Sequence, residues 1–364
     1  LLVGSTIYVH GVAATPTVLL DALLDHAKQN DLKNIKLYHI HLEGPAKWAE
    51  PENAGYLRSN CMFIAGNLRK AVNEGRADCL SVFLSDTAEL FRKKIVPVDA
   101  ALITVSSPDI KGYCSIGTSA EAKIGQLIAE NLIEDGATLQ MGIGNIPDAV
   151  LGLLKNHKNL GVHTEMFSDG ILPLIECGAM TNAEKKIQPG KVVSSFSLGS
   201  RKLYDWMHEN PMLYMGDVGW VNDPMYIRQN PKVAAINSCI EIDITGQIVA
   251  DSIGTRMYSG IGGQVDFMRG AAVGEDNKGK PIMALTSVTK KGVSKIVSTV
   301  KEGSGVVTTR GHAHYVVTEY GIAFLFGKNM RQRAYELIKI AHPSHRKSLE
   351  QSFYDRFYCL PSKD

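Results

Sequence analysis

Two acids lie two residues apart in the run Asn237-Ser238-Cys239-Ile240-Glu241-Ile242-Asp243-Ile244-Thr245-Gly246-Gln247. Alternation along a strand directs Glu241 and Asp243 to one face, and Thr245-Gly246 is a turn that ends the strand beside them. Ligands gather at strand ends in α/β sheets, which makes this carboxylate pair a candidate for chemistry. The same pattern fits an edge strand with two solvated acids ahead of a turn. Some twenty residues on, Gly260-Ile261-Gly262-Gly263-Gln264-Val265-Asp266-Phe267 places three glycines in four positions before a short helical pattern. Such a loop approaches a ligand closely, and its N–H groups can point at a phosphate or a developing oxyanion. A plain turn into a helix needs one glycine rather than three.

Other runs carry weaker signals. Gly142-Ile143-Gly144-Asn145-Ile146-Pro147 joins a strand to a helix, but Pro147 departs from the dinucleotide fingerprint and no acidic residue ends a following strand as that fingerprint requires. It reads as a loop facing the same cleft or as a structural turn. Gly11-Val12-Ala13-Ala14-Thr15-Pro16 reads chiefly as a helix cap with Thr15 before the proline. Gly216-Asp217-Val218-Gly219 and Thr318-Glu319-Tyr320-Gly321 each end a strand candidate, where backbone N–H groups can face a crevice. His39 and His41, like His312 and His314, are two apart on strands, but neither pair has a third ligand in register and no HExxH occurs; satisfied polar histidines are the expectation, and no metal site is. Glu165, in His163-Thr164-Glu165-Met166, is a second strand carboxylate that either lines a site or pairs with a neighbouring base. No Gly-x-Ser-x-Gly elbow supports a serine hydrolase.

The elements that must position these residues follow from hydrophobic patterning. Short β-branched runs at 7–10, 35–42, 80–84, 101–106, 139–143 and 162–167 alternate with amphipathic stretches at 17–28, 87–94, 120–132 and 147–155, which predicts βα units around a mostly parallel sheet. Turn formers gather and hydrophobicity falls over 178–190, placing a domain junction there and domains at 1–185 and 186–364. A second α/β series follows, with strands expected at 192–197, 212–215, 233–244, 281–285, 294–300 and 314–318 and a helix over 330–340. The 364 residues are 45% hydrophobic, enough for a large core, and 39 basic side chains nearly cancel 37 acidic ones. That balance gives no reason to expect nucleic-acid or membrane partners, and no apolar run approaches the roughly 20 residues of a membrane helix. Cys61, Cys79, Cys114, Cys177, Cys239 and Cys359 show no regular spacing and read as reduced thiols of a reducing compartment. The chain opens almost at once on a strand, so a few N-terminal residues are expected to be missing.

Taken in order, the runs 237–247 and 260–267, then Val306-Val307-Thr308-Thr309-Arg310 and Val316-Val317-Thr318-Glu319-Tyr320-Gly321-Ile322-Ala323, resemble the acetyl-CoA hydrolase/transferase family, most of all its 4-hydroxybutyrate CoA-transferase branch. The resemblance spans essentially the whole chain, from Val9-His10-Gly11 to Ile340-Ala341-His342-Pro343. It implies two α/β domains of the NagB/CoA-transferase type with the active site in the cleft between them. It also implies that Glu241 is the catalytic glutamate, that Gly260, Gly262 and Gly263 lie against CoA, and that Gly321 and Val218 offer N–H groups to the thioester oxygen; Asp243 inherits no role. The implied reaction moves CoA between an acyl-CoA, acetyl-CoA by default, and a small carboxylate such as acetate, butyrate, 4-hydroxybutyrate or succinate. A carboxylate nucleophile preserves the acyl energy as an anhydride and then as a glutamyl-CoA thioester. CoA is then a substrate, and no metal or redox cofactor is required. A homo-oligomer in the cytoplasm, or in the mitochondrial matrix of a eukaryote, is expected. Hydrolysis by the same glutamate and a non-catalytic ligand-binding protein of this fold are the alternatives.

Overall fold

The computed structural model describes residues 3–11, 15–102, 120–142, 144–289 and 291–364. Cys114, residues 103–106 of the strand expected at 101–106, Ile143 and residues 12–14 of the first glycine loop lie outside the described residues.

A first sheet holds β1 (Thr6–Val9), β2 (Ile35–His39), β3 (Leu57–Cys61), β4 (Asp78–Cys79) and β5 (Ala100–Leu102), all parallel, in the order β4-β3-β2-β1-β5. The helix Thr17–Gln29 buries Leu20, Leu23, Leu24 and Ala27, at helical spacing, against Ile7, Val9, Ile35 and Leu37. Its N-cap is Pro16 and carries no side-chain cap bond; the Thr15 hydroxyl instead accepts from the Glu43 N–H at 3.1 Å, tying the loop to the end of the second strand's connection.

Later strands are β6 (Thr138–Met141), β7 (Gly161–Val162), β8 (Met166–Phe167), β9 (Val192–Ser194), β10 (Phe196–Ser197), β11 (Leu213–Met215), β12 (Ala234–Ser238), β13 (Glu241–Asp243), β14 (Ile248–Val249), β15 (Ser252–Ile253), β16 (Arg256–Met257), β17 (Lys280–Ala284), β18 (Ile296–Val297), β19 (Tyr315–Thr318) and β20 (Gly321–Phe324). Six of them build a second sheet in the order β20-β19-β17-β12-β6-β7, parallel except for β20. Both faces are buried. Ala234, Ile236, Ile282 and Ala284 pack into one cluster, while Ala235, Met283 and Leu285 pack into another on the opposite side, so these strands read as continuous apolar runs. The expected α/β architecture is present.

The first sheet ends at residue 102 and the second begins at 138, and β6 and β7 lie beside β12 in it, so strands from both sides of the 178–190 run build one sheet. The polar run at 178–190 is a loop fastened over β7. Asn182 Oδ1 accepts from the Val162 N–H at 2.8 Å, and the buried Lys185 ammonium donates to the Val162 and Lys191 carbonyls, each at 2.6 Å. Burial without a carboxylate pushes the Lys185 pKa down to about 7.

Several expected strands break where side chains compete for the backbone. The run 162–167 splits into β7 and β8, with Thr164 Oγ1 donating to the Met166 carbonyl at 2.9 Å between them. The run 233–244 splits into β12 and β13, which belong to different sheets. The run 80–84 leads into a 3-10 turn at Leu84–Asp86, and only Ile296–Val297 of 294–300 pairs as a strand. Among the described residues no helix is long and apolar enough to cross a membrane.

Candidate active site

In the second sheet β6 is followed by β7 on one side, and β12, its other neighbour, leads onward to β17, so the strand order reverses between β6 and β12. Such a switch point leaves a crevice beyond the carboxyl ends of the two strands. A cleft of about 750 Å³ lies there, lined by Met141 and Gly142 at the end of β6, by Ser238 and Cys239 at the end of β12, and by His41 and Phe63 beyond β2 and β3 of the first sheet. Gln140 and Asn237, side by side on β6 and β12, exchange two amide hydrogen bonds of 3.4 and 2.9 Å and form part of its wall.

Contacts between the two sheets' connections hold the cleft together. Asn73 grips the Met257 backbone through both its donor and its acceptor, at 2.9 and 3.0 Å. Arg69, a lining residue, donates to the Tyr258 carbonyl at 2.6 Å and stacks on that ring 3.8 Å from its centroid. Gly262 bridges to Phe83 in parallel register.

The three glycines of the 260–263 loop each answer a separate demand of this seam. A Cβ at Gly260 would meet the Met62 carbonyl and Phe63 Cα at 2.9 Å, so the absence of a side chain lets the loop touch the first sheet's connection. Gly262 has φ +65°, the left-handed region that favours glycine. At Gly263 a Cβ would come within 2.1 Å of Glu165 Oε2 and 2.4 Å of Asn222 Nδ2. The loop is therefore shaped around a carboxylate, and that carboxylate belongs to Glu165.

Glu165 sits in the break between β7 and β8, lines the cleft, and accepts from Asn222 Nδ2 at 2.6 Å and from the Gly263 N–H. His163, two residues earlier, fixes this segment: its Nε2 pairs with the Val221 carbonyl at 2.8 Å and its Nδ1 with Asn230 Nδ2 at 3.2 Å. Burial drives the His163 pKa down to about 3, so the imidazole is neutral, with Nε2 donating and Nδ1 accepting. Val221 and Asn222 are adjacent, so one helical turn, Val218–Val221 and its C-cap, both anchors the histidine and supplies the amide that holds Glu165.

Desolvation raises the Glu165 pKa from 4.5 to about 7, with Asp266 adding repulsion and the Asn222 and Gly263 donors working the other way. Near neutral pH the carboxylate is about half ionised. A reaction that uses its ionised form should therefore accelerate as pH rises and level off above about 7, and Asn222→Ala should move that midpoint upward; kcat/KM measured from pH 5.5 to 9 checks both. The effect on folding has the opposite sign. A carboxylate whose folded pKa is raised stabilises the fold relative to its ionised form fully below 4.5, and this advantage, up to roughly 3 kcal/mol, is lost as pH climbs through about 7.

Glu241 directly follows Ile240, which lines the cleft. It is 1% exposed and is not among the residues lining the cleft. Its two oxygens accept from the Lys301 N–H at 2.8 Å and the Lys301 ammonium at 2.9 Å, which clamps the loop after β18 to β13. Asp243 is buried as well: Oδ1 accepts from the Thr245 N–H, the Thr245 hydroxyl and the Gln247 N–H, building the turn into β14. The solvated edge does not describe this strand, because β13 is paired on both sides, by β14 and β18. Gly321 pairs with Thr318 across the β19–β20 hairpin and Val218 opens a short helix; neither lines the cleft.

Of the expected site residues the structure brings Gly260, Gly262 and Gly263 together on the cleft and leaves Glu241, Gly321 and Val218 outside its lining. His41 lines it, with Nε2 2.9 Å from Glu43, whereas His39 is buried against the Ile40 carbonyl and depressed by burial to about 4. Cys239 also lines it, but burial pushes its thiol up to about 12. Gly142 and Gly144 face the cleft, as one reading of that loop expects.

Residues 2–132 match the acetyl-CoA hydrolase/transferase N-terminal domain and residues 199–353 the C-terminal domain of the same name. The chain is 53% identical over 415 residues to a succinyl-CoA:acetate/propanoyl-CoA:succinate CoA transferase of Fasciola hepatica, covering 99% of this chain and 86% of that one. It is 40% identical over 407 residues to a 4-hydroxybutyrate coenzyme A transferase of Clostridium kluyveri, covering 96% and 94%. Among solved structures, RipA from Yersinia pestis superposes with a TM-score of 0.88 at 26% identity, over 99% of this chain and 95% of that one. The two-domain α/β fold, the two matched domains and the 53% identity together show that this chain belongs to the acetyl-CoA hydrolase/transferase family, as an enzyme of the CoA-transferase type.

Proposed function

We propose that this protein transfers CoA between an acyl-CoA and a short-chain carboxylic acid through a covalent relay on Glu165. The observation that carries the proposal is the Glu165 carboxylate in the cleft, gripped by Asn222 and Gly263 and poised near neutrality. Glu165 attacks the thioester carbonyl, the tetrahedral oxyanion collapses, and the C–S bond breaks to release CoA thiolate and leave an acyl-glutamyl anhydride. The thiolate then attacks the glutamyl carbonyl, expelling the first acid as its carboxylate and leaving a glutamyl-CoA thioester. An incoming carboxylate reverses both steps. A carboxylate suits the task because each intermediate retains the energy of the thioester, and the relay calls for no metal or redox group. CoA's length supplies binding energy remote from the reacting carbon.

The nearest competing reaction is hydrolysis, in which water intercepts either intermediate. Acetyl-CoA incubated with and without succinate, butyrate or 4-hydroxybutyrate separates the two. Transfer predicts a new acyl-CoA and turnover that depends on the added acid. CoA release at the same rate without any acid overturns the transferase reading and favours the hydrolase.

A further inference from the structure

Two buried side chains outside the cleft's lining, Asn230 and His163, carry an unbroken run of hydrogen bonds toward Glu165. The Ile187 N–H donates to Asn230 Oδ1 at 3.1 Å, Asn230 Nδ2 meets His163 Nδ1 at 3.2 Å, and His163 Nε2 meets the Val221 carbonyl at 2.8 Å. Both ends of the run are backbone groups with fixed roles. An N–H can only donate, so Ile187 turns the Asn230 oxygen toward itself and the amide NH2 toward the ring. Nδ1 must then accept, which leaves the ring proton on Nε2 for the Val221 carbonyl. Trp220 stacks on the ring at 5.9 Å between centroids and Phe267 meets it edge-on at 6.3 Å, so only the two nitrogens need polar partners.

The Val221 carbonyl and the Asn222 N–H belong to one peptide plane. His163 holds the carbonyl side, and the Val218 carbonyl accepts from the N–H side at 3.0 Å. That plane carries the Asn222 side chain, whose Nδ2 donates to Glu165 Oε2 at 2.6 Å. Without the His163 bond the plane is held from one side only, and the short contact with Glu165 follows the plane. Among the described residues the charged groups facing this run are Lys185, which opposes a charge on His163, and Asp266, which opposes one on Glu165. We propose that Asn230 is a positioning residue for the reaction: it fixes the His163 proton on Nε2 and, through the 221–222 peptide, seats Asn222 on the Glu165 carboxylate. This rests on Glu165 as the reacting group and adds to it a residue that lies outside the cleft's lining.

The test follows two midpoints in wild type, Asn230→Leu, Asn222→Ala and the double variant. One is the titration of the Glu165 carboxyl by carbon NMR on isotope-labelled protein, its signal identified by its loss in Glu165→Gln. The other is that of kcat/KM for acetyl-CoA, with succinate as acceptor, from pH 5.5 to 9. Asn230→Leu should raise both by about half to one pH unit, as expected when one hydrogen bond to the ionised form is weakened. Because Asn230 acts through Asn222, it should add nothing to the shift of Asn222→Ala. A merely structural role would lower the melting temperature and leave the midpoints in place. His163→Gln, whose amide offers an N–H to Val221 and an oxygen to Asn230, should restore the wild-type midpoints, whereas His163→Leu should shift them as Asn230→Leu does. Wild-type protein gives a measurement that needs no substitution: nitrogen NMR should find Nε2 of His163 protonated and Nδ1 bare across this range. An unmoved carboxyl titration in folded Asn230→Leu or His163→Leu, additive shifts in the double variant, or a proton on Nδ1 overturns the assignment, and leaves Glu165 as nucleophile where Glu165→Gln is inactive. A carboxyl titration that moves while the rate profile stays removes Glu165 from the reaction, and the role of Asn230 with it.

Discussion

Glu165→Gln should abolish CoA transfer, with a loss on the order of 10⁴-fold or more, while the protein becomes more stable above pH 7. The amide is the size of the carboxylate and keeps an acceptor for Asn222 or Gly263, yet it cannot form an anhydride. It also removes the buried ionisation that weakens the fold as pH passes about 7, so thermal unfolding at pH 8 should shift up by a few degrees. Loss of activity together with gain of stability distinguishes a missing nucleophile from a damaged structure. Glu241→Gln predicts the reverse pattern. Its side chain is a clamp on Lys301, so unfolding should come earlier while transfer by the folded enzyme stays within a few-fold of wild type. Thermal melts and steady-state rates on both variants check the pair.

Gly263→Ala should cost about 10²- to 10³-fold in kcat with little loss of stability. The backbone at Gly263 has φ −93° and ψ 8°, a conformation open to alanine, so no strain follows from the backbone itself. The added methyl is the whole effect: it would lie 2.1 Å from Glu165 Oε2 and 2.4 Å from Asn222 Nδ2, and the carboxylate must retreat from at least one of its two donors. A displaced nucleophile is misaligned for attack, and displacements near 1 Å carry costs of this size. Gly262→Ala provides the contrast, because φ +65° imposes backbone strain on any side chain. It should lower the melting temperature as well as the rate. A Gly263→Ala enzyme with an unaltered kcat would mean that the position of Glu165 is irrelevant to the reaction.

The sequence made the parallel α/β architecture legible because the buried strands, such as 234–238 and 280–284, are nearly continuous apolar runs. It also drew attention to the 260–263 loop, since three close glycines are hard to explain by one turn. What it hid is non-local. Glu241, the acid singled out on the strand, is paired with a lysine sixty positions away, and no alternation rule contains that partner. Glu165 was visible only as an acid in a β-like run. Its separation from the strand on either side depends on Thr164 satisfying the Met166 carbonyl, and its neutral-range pKa depends on burial and on an amide fifty-seven positions away. The run at 178–190 hides its packing for a similar reason: Lys185 looks like a solvated charge in sequence and in the fold caps two backbone carbonyls under a loop.

The assignment of Glu165 as covalent carrier is tested most directly by intact-protein mass spectrometry after incubation with acyl-CoA, followed by peptide mapping. The account predicts a CoA-sized adduct on the peptide carrying Glu165, retained in Glu241→Gln and absent from Glu165→Gln. An adduct on the peptide carrying Glu241, or turnover with no adduct in wild type, would contradict it.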